Sequence, residues 1–238
     1  LEQESPCIDA GTSDIDNDGL EDIIDYFGIA PDIGSHEYRG WEIINTFEIP
    51  EGASGLAYDG TYIYFGIYGV DGDHIYRFNL QNETYELLFE SNTLEDAFGL
   101  TYDGQYLWSI KQIGFSDPST AIKLNFQGDE IDYITLPDHY MSGIAADGDY
   151  FWVSTYYPDP GTIYKINHQG EIINQIPSPN NQPWDISLAH MGLWVSDYWG
   201  DAVYNISEND GSIIHSYETE GVDPSGVVWD GSFLWYCD

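Results

Sequence analysis

Ser54–Tyr68 reads SGLAYDGTYIYFGIY, and variants of the phrase return four times: FGLTYDGQYLWSIK at Phe98–Lys111, SGIAADGDYFWVSTY at Ser142–Tyr156, WDISLAHMGLWVSDY at Trp184–Tyr198 and SGVVWDGSFLWYCD at Ser225–Asp238. The anchors Gly55, Gly99, Gly143, Asp185 and Gly226 lie 44, 44, 42 and 41 residues apart, so one structural unit repeats along the chain. Each phrase opens with a short apolar run and returns through an aromatic run that alternates with period two. In four of the five the two runs meet at Asp-Gly (Asp59-Gly60, Asp103-Gly104, Asp147-Gly148, Asp230-Gly231), a pair that supplies the positive φ of a tight turn. Each phrase is therefore expected to be a β-hairpin.

Two more strand-like runs follow each of the first four hairpins. They are His74–Leu80 with Thr84–Glu90, Thr120–Phe126 with Glu130–Leu136, Thr162–His168 with Glu171–Pro177, and Asp201–Ser207 with Ser212–Glu218. Four antiparallel strands per unit predict an all-β fold, a five-bladed β-propeller over residues 40–238. The fifth unit holds only Gly226–Trp229 and Phe233–Cys237. Trp41–Ile49, a lone strand-like run ahead of the first hairpin, is expected to serve as the outer strand of that last blade and so close the ring. One strand then still has to come from residues 1–39, from a longer chain or from a neighbouring molecule. The last would make a polymer, because a contact that does not close on itself propagates.

Forty-two acidic residues face only Arg39, Arg77, Lys111, Lys123 and Lys165, a formal charge of −37. That field repels nucleic acid and anionic lipid, whose phosphates need basic partners. It favours cations, or simply solvates an exposed β surface. No run of apolar residues is long enough to span a membrane. Cys7 and Cys237, the two cysteines, are expected to form a disulfide in an exported protein; two buried thiols are the alternative. The chain opens on Leu1 rather than Met, as it would after processing or where a stretch of a longer protein begins.

Residues 1–39 stand outside the repeat as an N-terminal cap or adaptor and contain SDIDNDGLEDIID. Asp14, Asp16 and Asp18 fall at alternate positions and Gly19 permits a sharp turn. Ca²⁺ requires six to eight oxygens, which these aspartates, the Leu20 carbonyl, Asp22 and Asp25 can supply. This segment is expected to bind calcium. The flanking motifs SPCIDAG at Ser5–Gly11 and DIGSHEY at Asp32–Tyr38 resemble the closing segment of secreted bacterial right-handed β-helix proteins. The resemblance implies an exported protein, at the cell surface or outside it. It does not imply polysaccharide lyase activity, because no stacked coils precede the segment.

The blade pattern, GLAYDGTYIYF followed by an IYKI strand at Ile163–Ile166, resembles the propeller group of streptogramin lyases, plant-type glutaminyl cyclases and NHL and YVTN repeat proteins. In the enzymes of this group the resemblance places chemistry at the channel mouth, on the starts of the innermost strands. Here those starts are Ser54, Phe98, Ser142, Trp184 and Ser225, with Asp185 the only carboxylate beside them. Four of the five offer no titratable group. A lyase-type site would call on a histidine near the channel, and of His36, His74, His139, His168, His190 and His215, His74 and His139 are expected in loops on that face. No nucleophile elbow, zincin motif or phosphate loop occurs. The expected function is thus a non-catalytic extracellular module that partners itself, as a polymer or oligomer, or other surface proteins. The alternatives are a carbohydrate- or peptide-binding propeller and a lyase-type enzyme. For a ligand, Tyr157 and Trp199 are the candidates, because both lie outside the recurring blade pattern, whereas Trp108, Trp152, Trp194 and Trp235 recur in register and are expected to pack between blades.

Overall fold

A computed structural model describes residues 43–67, 73–91, 94, 98–112, 117–157, 160–189 and 191–238. Asp14, Asp16, Asp18, Leu20, Asp22 and Asp25, the residues expected to bind calcium, and Cys7 lie outside them. Phe47–Asp238 forms one unit. Among the described residues its elements are all β-strands.

Four sheets have four antiparallel strands each, hydrogen-bonded in a simple meander. The first contains β1 (Ala53–Tyr58), β2 (Tyr62–Ile67), β3 (Asp73–Asn79) and β4 (Thr84–Ser91), and the second β5 (Leu100–Tyr102), β6 (Leu107–Lys111), β7 (Thr120–Leu124) and β8 (Glu130–Thr135). The third contains β9 (Met141–Asp147), β10 (Tyr150–Thr155), β11 (Thr162–Asn167) and β12 (Ile172–Pro177), and the fourth β13 (Pro183–Ala189), β14 (Gly192–Asp197), β15 (Ala202–Ile206) and β16 (Ile213–Glu218). A fifth sheet is the hairpin β17 (Gly226–Trp229) and β18 (Leu234–Cys237). The first strands β1, β5, β9, β13 and β17 adjoin one another in that order, and β17 returns to β1. This is a propeller arrangement.

Five four-stranded blades were the expectation; among the described residues four are complete, and the fifth unit has two strands. Residues 43–50 run as irregular chain, not as the expected outer strand. From Phe47 onward the segment is nevertheless held by side-chain packing. The Phe47 ring lies 5.0 Å from Phe78 and is stacked at 6.0 Å on Trp235, and Phe47 and Ile49 join the apolar cluster of Leu56, Phe65, Val228 and Cys237. Aromatic burial, rather than a backbone ladder, joins this segment to the last hairpin.

The turns explain the recurring phrase. Gly60, Gly104, Gly148 and Gly231 take φ of 95°, 96°, 60° and 101°. Asp103 Oδ1 accepts the Gln105 and Tyr106 amides at 2.8 and 2.7 Å, while Oδ2 accepts the Trp108 indole N–H at 2.8 Å. Asp230 does the same for Ser232, Phe233 and Trp235. The aspartate thus closes the turn with one oxygen and fixes the tryptophan five residues on with the other. In the first blade Tyr64 replaces the tryptophan and donates its hydroxyl to Asp59 at 2.6 Å.

Strand register adds a cation. Opposite Trp108 stands Lys123, opposite Trp152 Lys165, and opposite Tyr64 Arg77. Lys123 Nζ sits 4.3 Å from the Tyr106 ring and Lys165 Nζ 5.1 Å from both Tyr150 and Trp152, while Arg77 covers Tyr62 at 4.9 Å. Lys165 also reaches Asp147 at 2.5 Å and Lys123 reaches Asp103 at 3.8 Å. Three of the five basic residues are committed to this one position of the blade. The fourth blade has no turn aspartate, and there Asn205 stands opposite Trp194.

Candidate functional site

The starts of the inner strands converge on the axis of the ring. In the first, third and fourth blades the ladder between first and second strand shifts register at this point, between Ala53 and Leu56, Val153 and Thr155, and Pro183 and Ile186. Such a bulge turns the backbone out of the ladder. The amide so released needs another acceptor. Gly143 N–H donates to Ser154 Oγ at 3.0 Å and Asp185 N–H to Ser196 Oγ at 3.0 Å. Serines also link neighbouring units: Ser142 Oγ donates to the Pro183 carbonyl at 2.9 Å, Ser196 Oγ to that of Ser225 at 3.1 Å, and Ser225 Oγ to that of Ala53 at 2.6 Å.

Close approach explains the glycines. A Cβ on Gly99 would come within 2.5 Å of the Ser142 carbonyl oxygen, and one on Gly55 within 2.5 Å of the Leu100 nitrogen. The one anchor with a side chain, Asp185, uses it to fill the axis. It is fully buried, and Oδ2 accepts the amides of Leu56 and Val227, each at 3.1 Å. Oδ1 has no hydrogen-bond partner among the described residues. Burial pushes this carboxyl well above the usual carboxylate range, and the amides of Leu56, Val227, Ile186 and Ile144 pull partly the other way. Asp185, the carboxylate singled out in the sequence, therefore sits inside the ring as a plug and not at its mouth.

On one side of that plug lies an open cavity of about 860 Å³ lined by Tyr140, Tyr156, Tyr157, Trp184, Tyr198 and Trp199. Ile49–Ser54, Gln182, Val222, Asp223, Ser225 and Asp238 complete the wall. The volume lies within the range of about 300–1,000 Å³ typical of small-molecule sites. On the other side a small space is lined by later residues of the same strands, including Leu56, Thr101, Ala145, Ile186 and Val228. Between Ser54 and Leu56, Trp184 and Ile186, and Ser225 and Val228 lies the axial layer, so Asp185 separates the two spaces.

The aromatic side chains of the larger cavity touch in series. Tyr157 and Tyr156 each meet Tyr140 edge to face, at 5.1 and 5.7 Å and interplanar angles of 70° and 73°. Tyr156 packs on Trp184 at 5.4 Å and Trp184 on Tyr198 at 4.7 Å. Tyr140 takes a positive φ of 53°, a left-handed conformation uncommon outside glycine. The Trp184 indole N–H is buried and has no partner among the described residues. Tyr157 and Trp199, the two ligand candidates from the sequence, line this one cavity and are 55% and 69% exposed.

Other candidates are dispersed. His74 is in β3, not in a loop, because the strand begins one residue earlier, and its Nε2 faces Glu90 at 3.5 Å. His139 is on the turn before β9 and its buried Nδ1 has no partner among the described residues. His168 packs its ring 5.0 Å from Phe151, and His215 belongs to β16. His36 and His190 lie outside the described residues. No group of three His, Cys, Asp or Glu side chains gathers among the described residues. Cys237 is a buried free thiol among the described residues, and its expected partner Cys7 lies outside them. The Cys237 sulfur lies 3.4 Å from Ser225 Oγ and takes the Gly226 amide, the place that Ser154 and Ser196 fill in the third and fourth blades. Burial pushes the thiol up to about 11.

Gln182, Asp223 and Asp238 were not anticipated from the sequence. Asp223 is held with a φ of 59° and donates its amide to Asp201 Oδ1 at 2.9 Å, and Asp238 Oδ2 accepts the Gly221 amide at 2.9 Å. Gln182 and Asp223 each stand two residues ahead of a repeat's start, Trp184 and Ser225, and Asp238 ends the last phrase, places that do not by themselves mark a site.

Fold and site together define the class: a β-propeller of four-stranded blades with an aromatic cavity over a plugged axis. No family model matches the chain, and no curated protein matches it either. Among solved structures, a chain of a nidogen–laminin complex is similar at 11% identity with a TM-score of 0.54, over 74% of this chain and 84% of that one. An aldose sugar dehydrogenase from Streptomyces coelicolor, solved with PQQ bound, is similar at 12% identity with a TM-score of 0.54, over 82% and 90%. These likenesses show fold alone. A streptogramin B lyase is matched more weakly, with a TM-score of 0.47 at 20% identity over 78% and 61%.

Proposed function

We propose that the protein is a non-catalytic recognition module whose ligand seats in the aromatic cavity, with Tyr157 and Trp199 as its exposed contacts. One observation carries this: six aromatic side chains from separate parts of the chain line one open cavity. Large aromatic side chains left partly in water on a loop surface are characteristic of binding sites. The hairpin β17–β18 is read as the inner half of a fifth blade, completed by a further strand from this chain or another. The Asp-rich segment is read as a calcium site in an exported protein of the cell surface or extracellular space, and self-association or docking to other surface proteins as the use of the module.

Trp199→Ala tests the cavity. The substitution leaves the core untouched, so the melting temperature is expected to stay within a few degrees while any ligand found by a broad screen of glycans, peptides and small cations loses affinity at least tenfold. A ligand that binds wild type and Trp199→Ala/Tyr157→Ala equally would place the recognition surface elsewhere. Size measurement with and without EDTA and reductant tests the assembly reading, which predicts a change of mass or stability on chelation.

A further inference from the structure

Resting on the reading of the cavity as a ligand site, we propose that its ligand is a small organic cation of the quaternary ammonium class. Shape comes first. A sugar ring stacks on one flat exposed aromatic face and takes several hydrogen bonds from planar polar side chains around its edge. Here the walls meet at corners: Tyr157 and Tyr156 stand at 70° and 73° to Tyr140, and Trp184 turns 39° from Tyr156 and 31° from Tyr198. Rings set at angles to one another suit a compact, methyl-covered cation better than a flat sugar ring, because the negative face of an aromatic ring attracts a cation. Among the described residues one side-chain amide, Gln182, lines the space.

Charge is the second, independent argument. Among the described residues the ionisable side chains of the wall, tyrosines apart, are Glu51, Asp223 and Asp238, and no Lys, Arg or His lines it. Elsewhere on the blades the aromatic faces already have cations, supplied by Arg77, Lys123 and Lys165. A chain of net charge −37 also concentrates cations near its surface and repels anions. An ammonium that cannot donate hydrogen bonds loses little hydration on entering such a space, and its positive charge is met by the ring faces and the rim carboxylates.

Titration calorimetry at fixed ionic strength tests this with choline and its uncharged isostere 3,3-dimethylbutan-1-ol, which share shape and differ in charge. Choline is expected to bind at least tenfold more tightly than the isostere. Trp199→Ala and Tyr157→Ala are each expected to weaken choline about tenfold, and Asp223→Asn several-fold with a shallower salt dependence. Because Trp199→Ala leaves the net charge unchanged, loss of binding in that variant separates the cavity from general attraction to an acidic surface. Equal affinity for choline and isostere would overturn the proposal, as would choline binding that ignores both aromatic substitutions. A neutral disaccharide that binds in a Trp199-dependent way while choline does not would overturn the cation and keep the cavity. No binding by any of these probes would overturn the cation, while the glycan and peptide screen decides separately whether the cavity is a site. A trimethyllysine peptide that binds in a Trp199-dependent way where free choline fails would show a protein side chain as the source of the cation and overturn the small-molecule assignment.

Discussion

Asp185 is a carboxyl group taken wholly out of water, with two amides on one oxygen and no base beside it. Its folded-state pKa is raised by burial above the unfolded value, so the folded chain holds the proton where the unfolded chain has released it. In that window unfolding releases a proton, and this group's contribution therefore falls as pH rises from the ordinary carboxylate range toward the raised value. Asp185→Asn keeps a carbonyl oxygen for the Leu56 and Val227 amides and removes the titration. Thermal melts across pH 4–9 are expected to show the variant gaining on wild type as pH rises; parallel curves would mean that the carboxyl is not buried as described. Asp185→Ala strands both amides and is expected to cost about 2–6 kcal/mol, since each unmet buried donor costs about 1–3 kcal/mol.

Lys165 shows the same economy on the outer side of the blade. It joins two rings and the turn aspartate Asp147, so Lys165→Met keeps the methylenes and removes only the charge. A loss of about 0.5–1 kcal/mol in urea melts is expected, the scale of a partly exposed cation–π contact.

Among the elements, the hairpins were legible because their turn chemistry is local. Asp-Gly and period-two alternation are written within fifteen residues, and β17 begins and ends where the pattern placed it. What the pattern could not carry was the bulge at the axis, because its amide is satisfied by a serine on the next strand and its purpose lies in the neighbouring blade. The surroundings of Cys237 were illegible for the same reason, while its expected partner Cys7 lies outside the described residues. An even pair of cysteines suggests a bond, yet the sulfur occupies the place that Ser154 and Ser196 hold in their own blades. Cys237→Ser is accordingly expected to change stability by less than about 1 kcal/mol, the scale of one neutral hydrogen bond. Loss of a disulfide closing nearly the whole chain would instead cost about 4–5 kcal/mol in the entropy model. Denaturant melts under non-reducing conditions separate the two.

At the scale of the molecule, the cavity was only half legible. Tyr157 and Trp199 departed from the repeat and so drew notice, but Asp223 and Asp238 come to them through ring closure, and no spacing along the chain announces that. Asp185 was visible as the one acid among four glycines; its place inside the axis required knowing how closely the strands approach. Closure itself rests on Ser225 reaching Ala53 and on Phe47 between Phe78 and Trp235. The charge acts on the whole as well. With −37 spread over the sequence, raising NaCl from 0.02 to 0.5 M should screen self-repulsion and raise the melting temperature by about 2–8 °C, corresponding to about 1–2 kcal/mol. A flat response would mean that the acids are already too far apart to interact.

The single occupied position on the axis also limits how such a ring can be composed. Tandem copies of a glycine-type unit would leave a hollow shaft with amides facing nothing, and tandem copies of the Asp185 unit would crowd several acids into room for one. The molecule therefore needs one odd member among its modules, and an engineer who sets out to regularise the sequence would have to spare that residue.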